Sequence, residues 1–230
     1  MNPLPRIINH HDWILAVLLL IVLLFTLVVS NNRTLISKVL LANFFKQYYI
    51  SLQREEHEIY SKISLLLNFI SLLSVSLFLY LLAKVSGFEN QLKIKGFILF
   101  LLTFSALTAF VLLQYLFARL SAWVFKTETE TNEYQFNIWL AFKLLGITLL
   151  PFCFFIQYSE QNFSKFFIHI SLILIALILV HRYFVGLRIG IQLESFPKIY
   201  SILYICTLEL LPILILVKMF KTEIQTILSF

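Results

Sequence analysis

The chain has 230 residues, 60% of them hydrophobic and 13% charged, where a soluble domain carries about 45–50% apolar residues. That excludes a water-soluble globular protein and indicates an integral membrane protein. The formal charge of +6 is spread over every connection rather than gathered into a basic stripe, so it argues for orientation in the bilayer and contact with anionic headgroups, and against a nucleic-acid partner.

A hydrocarbon core of about 30 Å takes roughly 20 apolar residues to cross, and the chain offers six such stretches, near 12–30, 63–83, 97–118, 138–157, 166–185 and 199–217. The expected fold class is therefore all-α: a polytopic membrane helix bundle of about six transmembrane helices, forming a single domain over 1–230. The first span follows Arg6 as a secretory signal would, but its apolar run from Trp13 to Val29 is long and ends in "SNNR" with no small-residue cleavage site, so an uncleaved helix is expected. Lys and Arg favour the connections after spans one, three and five by ten to seven, which places both termini outside the cytoplasm.

Between the first two spans, Ile36, Leu40, Phe44, Tyr48 and Leu52 recur at four-residue intervals, with Lys38, Lys46 and Arg54 interleaved among Phe45 and Tyr49. This predicts an amphipathic interfacial helix near 33–58 lying in the headgroup plane, ahead of a helix that binds a partner. After the third span, "KTETETNEY" reads as a solvated acidic loop, with Trp123 and Trp139 as interface anchors.

The fourth span, "FKLLGITLLPFCFF", carries Lys143, Gly146 and Pro151. Where the fifth span meets its loop, "VHRYFVGLRIGIQLE" places Arg182 and Arg188 on the same membrane side as Arg119. Their forked donors suit phosphate oxygens, so an anionic headgroup contact is one expectation, and orientation with snorkelling the other.

The sixth span holds Glu209, the acidic residue set deepest in an apolar run. A strongly polar group at a helix centre costs about 2.5–3.5 kcal/mol, while the twelve Leu, Ile and Val residues from Ile199 to Val217 return roughly 4–7 kcal/mol. Insertion thus tolerates it. Pro212 displaces the carbonyl of Leu208 and, at a spacing of three, shares a face with Glu209 and Cys206. Pro151 and Pro212 are both expected to kink their helices. The expected intramembrane polar pair is Lys143 with Glu209.

Metal and catalytic chemistry find little support. Neither His10, His11 and Asp12 in "NHHDW" nor His57 in "REEHE" has a recognised zinc spacing, and His169 and His181 sit about 120° apart on a helix. No P-loop, G-x-S-x-G or H-E-x-x-H motif occurs. No cofactor and no enzymatic activity are expected; an intramembrane enzyme would need Cys206, Glu209 and a histidine gathered together.

The runs "LYICTLELLPILILVK" and "HRYFVGLRIGIQ" resemble a family of uncharacterised multi-span inner-membrane proteins of Bacteroidota, classed as a domain of unknown function. The resemblance is strongest in the C-terminal third. It implies residence in the inner membrane of a two-membrane envelope, and it carries no activity or site residue with it. Short loops and the lack of a catalytic constellation lead us to expect an accessory or assembly subunit of an envelope complex, with lipids and a protein as partners. The alternative is a small transporter or lipid- or anion-binding protein that uses Glu209 and the basic cluster.

Overall fold

Hydrocarbon offers no hydrogen-bond partners, so a chain this apolar must satisfy its backbone within each spanning segment, which helices do. A computed structural model describes residues 12–31, 33–43, 45–55, 61–86, 96–125 and 128–191. Their regular elements are all helical: α1 (Asp12–Asn31), α2 (Arg33–Ala42), α3 (Lys46–Glu55), α4 (Ser61–Val85), α5 (Gly96–Phe125), α6 (Glu128–Tyr158) and α7 (Gln161–Ile191). Five are long and apolar enough to cross a membrane, namely α1, α4, α5, α6 and α7. They fall on the first five expected spans; the sixth, 199–217, lies outside the described residues.

The core is built on α4 and α6. Of the apolar window of α4, 61% is buried, against 11% in α5, so α4 is enclosed by protein while α5 turns most of its surface outward. Contacts between α4 and α6 run in the same order along both helices, from Ser64 with Lys143, through Ser71 with Gly146, to Ser74 with Cys153 and Lys84 with Gln157. The two helices are parallel neighbours, with α5 returning between them in sequence. At their closest approach a Cβ on Gly146 would overlap the backbone and side chain of Ser71. Small residues that let helix backbones meet are the usual way to gain packing where lipid removes the hydrophobic drive between helices.

The other spans lean on this pair. α1 buries Ile14, Leu18, Ile21 and Val28 at spacings of four, three and seven, and leaves Leu15, Leu19, Leu23 and Leu27 outward. Trp13 meets Tyr80 of α4 and Phe97 and Phe100 of α5, with ring centroids 5.0, 5.4 and 5.4 Å away. That aromatic cluster ties three helix ends on one membrane side. On α7, Ser164, Ile168 and Ser171 are buried, and the hairpin with α6 is closed by Ser164 Oγ donating to Ile156 O at 2.8 Å and by Phe155 stacked on Phe167 at 5.1 Å.

Several expectations are revised. The single interfacial helix is two helices, because Asn43 ends α2: its Nδ2 donates to Val39 O at 2.9 Å, satisfying a carbonyl that the helix terminus leaves open. The buried face of α2 carries Leu35, Val39 and Ala42, one position off the expected stripe of Ile36 and Leu40; in α3, Leu52 is buried as expected and Tyr48 is exposed. The acidic run after the third span is no loop, since α6 begins at Glu128; glutamates in the first turns of a helix sit favourably at the positive end of its dipole. α7 likewise continues through Arg182 and Arg188 to Ile191. Trp123 is 78% exposed at the end of α5, as an interface anchor would be, whereas Trp139 is half-buried.

Candidate functional site

Among the described residues, polar groups collect along the α4/α6 seam and in a layer near the N-terminal end of α6. The first is the α4/α6 seam. Lys143 is 1% exposed, and its Nζ donates to Ser64 Oγ at 2.6 Å. The side chain reaches back toward the first turn of α4, the direction in which helical side chains lean. Ser71 Oγ donates to Leu67 O at 2.9 Å and lies 3.5 Å from Lys143 O. Deeper along the seam, the buried Cys153 thiol approaches Ser74 O at 3.8 Å. Asn68 Oδ1 and Ser74 Oγ are buried without a hydrogen-bond partner among the described residues.

Burying an ammonium costs several kcal/mol, of which a hydrogen bond from a charged group returns about 1.5–3 kcal/mol. Lys143 therefore calls for a counter-charge besides Ser64, and it does make a further interaction within the chain. Glu209, expected in that role, lies outside the described residues, as do Cys206 and Pro212. Pro151 lies inside α6, which stays helical across it from Glu128 to Tyr158; Pro151 is exposed, so its ring lies away from the α4/α6 seam. Thr148 Oγ1, one turn earlier, donates to Leu144 O at 2.8 Å.

The second polar layer joins α3, α5, α6 and α7. Tyr49 OH donates to Glu133 O at 3.2 Å, and its ring packs against Phe136 at 5.0 Å. Burial, and secondarily the charge of Glu133, push the Tyr49 phenol above its ordinary range. Arg119 Nη1 donates to Asn132 Oδ1 at 3.2 Å, and Gln135 Nε2 to Tyr115 O at 3.5 Å. Asn137 is buried, and its Nδ2 has no acceptor among the described residues. Arg182 is half-buried on α7, with its Nε and Nη2 atoms out of contact with solvent.

The structure thus gives the expected arginine cluster different settings. Arg119 is exposed and engaged by Asn132, Arg182 is set against its neighbours, and the side chain of Arg188 is not among those described. Sequence reasoning missed Ser64, Asn68 and Asn137, and it read Tyr49 as an interfacial aromatic rather than as a donor to α6. A signal existed for the first two, because Ser64, Asn68 and Ser71 follow one another at spacings of four and three on a single face of α4. Among the described residues, no group of three His, Cys, Asp or Glu side chains could hold a metal ion.

Residues 14–220 match the family described as Domain of unknown function (DUF4271). The chain belongs to that family. The match covers nearly the whole chain rather than the C-terminal third alone, so the DUF4271 unit includes both the α4/α6 seam and the α6/α7 hairpin. No curated protein and no solved structure matches the chain.

Proposed function

We propose that this DUF4271 protein is an accessory or assembly subunit of a cell-envelope complex in the inner membrane of Bacteroidota, acting through helix contacts and interfacial segments rather than through chemistry. One observation carries the proposal. The centre of the bundle is closed by backbone contact between Ser71 and Gly146, while α5 presents an outward face that includes Leu101, Leu102, Leu112, Leu113, Leu116 and Leu120. A rigid pair of inner helices with a long outward helix suits a scaffold on which other membrane helices assemble.

The protein, tagged in its native cells and purified in two mild detergents, should bring down the same set of membrane polypeptides in both. Leu112→Ala with Leu116→Ala on α5 should thin that set. A protein that purifies alone in both detergents overturns the assignment.

A small transporter or lipid-handling protein is the second reading, favoured by the buried Lys143 and by Asn68 Oδ1, which is buried without a hydrogen-bond partner among the described residues. Transport requires water to reach that seam. Cysteines placed at Ser64 and Ser71 in a background without Cys153 and Cys206 should then react with a membrane-impermeant maleimide; protection at both positions rejects transport along this route.

A further inference from the structure

α7 carries two ionisable side chains on its outward side, at the opposite membrane edge from Arg182. Lys165, His169, Ile173, Ala176 and Val180 follow one another at spacings of four, four, three and four, which keeps them on one side of the helix, and all five are exposed. The stripe is graded along its length: an ammonium and an imidazole stand at its head, and apolar side chains follow. Ionisable residues of a membrane helix ordinarily face the bundle interior or a water-filled cavity. Lys165 and His169 face outward instead, on a helix whose apolar window is 17% buried, so the group that meets them approaches from outside the described helices.

Their open atoms are donors. The Lys165 ammonium has no acceptor among the described residues. His169 Nδ1 lies 2.7 Å from Lys165 O; a carbonyl oxygen only accepts, so Nδ1 carries the hydrogen and Nε2 is the ring atom left open. In the protonated ring Nε2 donates as well. Long side chains on a helix lean toward its N-terminal end, which in α7 is the headgroup side at this edge. The window from Phe163 to Gly186 has 24 residues, about 36 Å at 1.5 Å per residue, against a hydrocarbon core of about 30 Å. Each end therefore stands about 3 Å outside the hydrocarbon, which sets Lys165, two residues in, at the boundary. His169 stands about 6 Å below it before its side chain leans back. Two donors at the boundary above an apolar strip match a phospholipid standing along the helix, its phosphate at the top and an acyl chain below. A soluble anion would meet the donors but gain nothing from the strip.

We propose that the outward side of α7 binds an anionic phospholipid, with Lys165 Nζ and His169 Nε2 donating to its phosphate and Ile173, Ala176 and Val180 lying against its acyl chain. The site is independent of the scaffold role, and either can fail without the other.

Native mass spectrometry of the full chain in detergent, titrated separately with phosphatidylglycerol, phosphatidylcholine and glycerol 3-phosphate, tests the site. Phosphatidylglycerol should be retained at least about tenfold more strongly than phosphatidylcholine, and glycerol 3-phosphate should neither bind nor compete. Lys165→Gln and His169→Phe should each lower phosphatidylglycerol retention about tenfold, the loss expected for one charge-assisted hydrogen bond. Both side chains are exposed, so neither substitution opens the core. Lys165→Arg, which keeps a charged donor, should hold the lipid. Lys62→Gln, which removes an exposed lysine at the other membrane edge, should match the unsubstituted protein. Equal retention of the two lipids, unchanged retention in Lys165→Gln or His169→Phe, an equal loss in Lys62→Gln, displacement by glycerol 3-phosphate, or a lipid-free dimer that His169→Phe dissociates overturns the proposal.

Discussion

Replacing Gly146 by alanine sets packing against helix propensity, because the two act in opposite directions. Alanine is the better helix former by about 1 kcal/mol, so on propensity alone the variant gains stability. In this bundle the added Cβ meets Cα, Cβ and Oγ of Ser71 inside normal contact distance. The backbone Cα cannot rotate away, so α4 and α6 must part. Overpacking of this kind costs about 1–3 kcal/mol, and parting also loosens the Lys143–Ser64 and Cys153–Ser74 contacts, each worth about 0.5–1.5 kcal/mol or more. The net loss is about 1–3 kcal/mol. At about 2–4 °C per kcal/mol for a chain of this size, the melting temperature in detergent should fall by roughly 2–12 °C. Ser71→Gly added to Gly146→Ala removes two of the three overlapping atoms and should restore part of the loss. A Gly146→Ala protein that melts with the unsubstituted one, or a double variant no better than the single, refutes a close α4/α6 crossing.

Lys143→Met should lower stability by about 3–5 kcal/mol by stranding the carboxylate of its expected partner, whereas Lys143→Met with Glu209→Leu should be close to neutral; a double variant as unstable as the single removes the pair. Exchanging the two charges, Lys143→Glu with Glu209→Lys, should likewise recover thermal stability. Tyr49→Phe should cost about 0.5–1.5 kcal/mol and raise amide exchange in α3, with no change in α4. Because the Tyr49 phenol is raised in the folded protein, its contribution is fully present below the ordinary phenol value of about 10 and is lost as pH climbs past it. Above that pH the melting temperature should fall more steeply in the unsubstituted protein than in Tyr49→Phe, and parallel curves would contradict the buried phenol. Cys153, in a background carrying Cys206→Ser, should resist a water-soluble maleimide until the protein is denatured in dodecyl sulfate; rapid labelling of the folded protein would show that the seam is wet.

Hydropathy located the first five spans because crossing hydrocarbon demands a long apolar run wherever it occurs. It misplaced helix ends for the same reason. The start of α6 at Glu128 and the end of α7 at Ile191 lie in polar sequence, where a helix extends beyond the apolar run and a hydropathy window no longer registers it. The stripe from Ile36 to Leu52 failed more instructively. A strict spacing of four advances about 400° per step at roughly 100° per residue, so over four steps it winds to the far side of a straight helix. One unbroken helix could not bury it on one surface, and the segment forms two helices, α2 ending at Ala42 and α3 beginning at Lys46. Lys143 was legible as a polar residue in a span, but its partner Ser64 was not, because the register between α4 and α6 is set by the Ser71–Gly146 contact and has no counterpart within either helix. Asn137 was hidden by lying next to an acidic run that resembled solvent-exposed loop.

The parallel pairing of α4 with α6 also has a consequence for biosynthesis. Ser64 leaves the ribosome 79 residues before the lysine that will bind it, an interval of roughly 4–16 s at about 5–20 residues per second. Throughout that interval α4 must be held with Ser64, Asn68 and Ser71 facing no finished partner, while α5 is threaded back across the bilayer. Synthesis of this protein should therefore depend on an insertion machinery that shelters one polar helix face until α6 arrives.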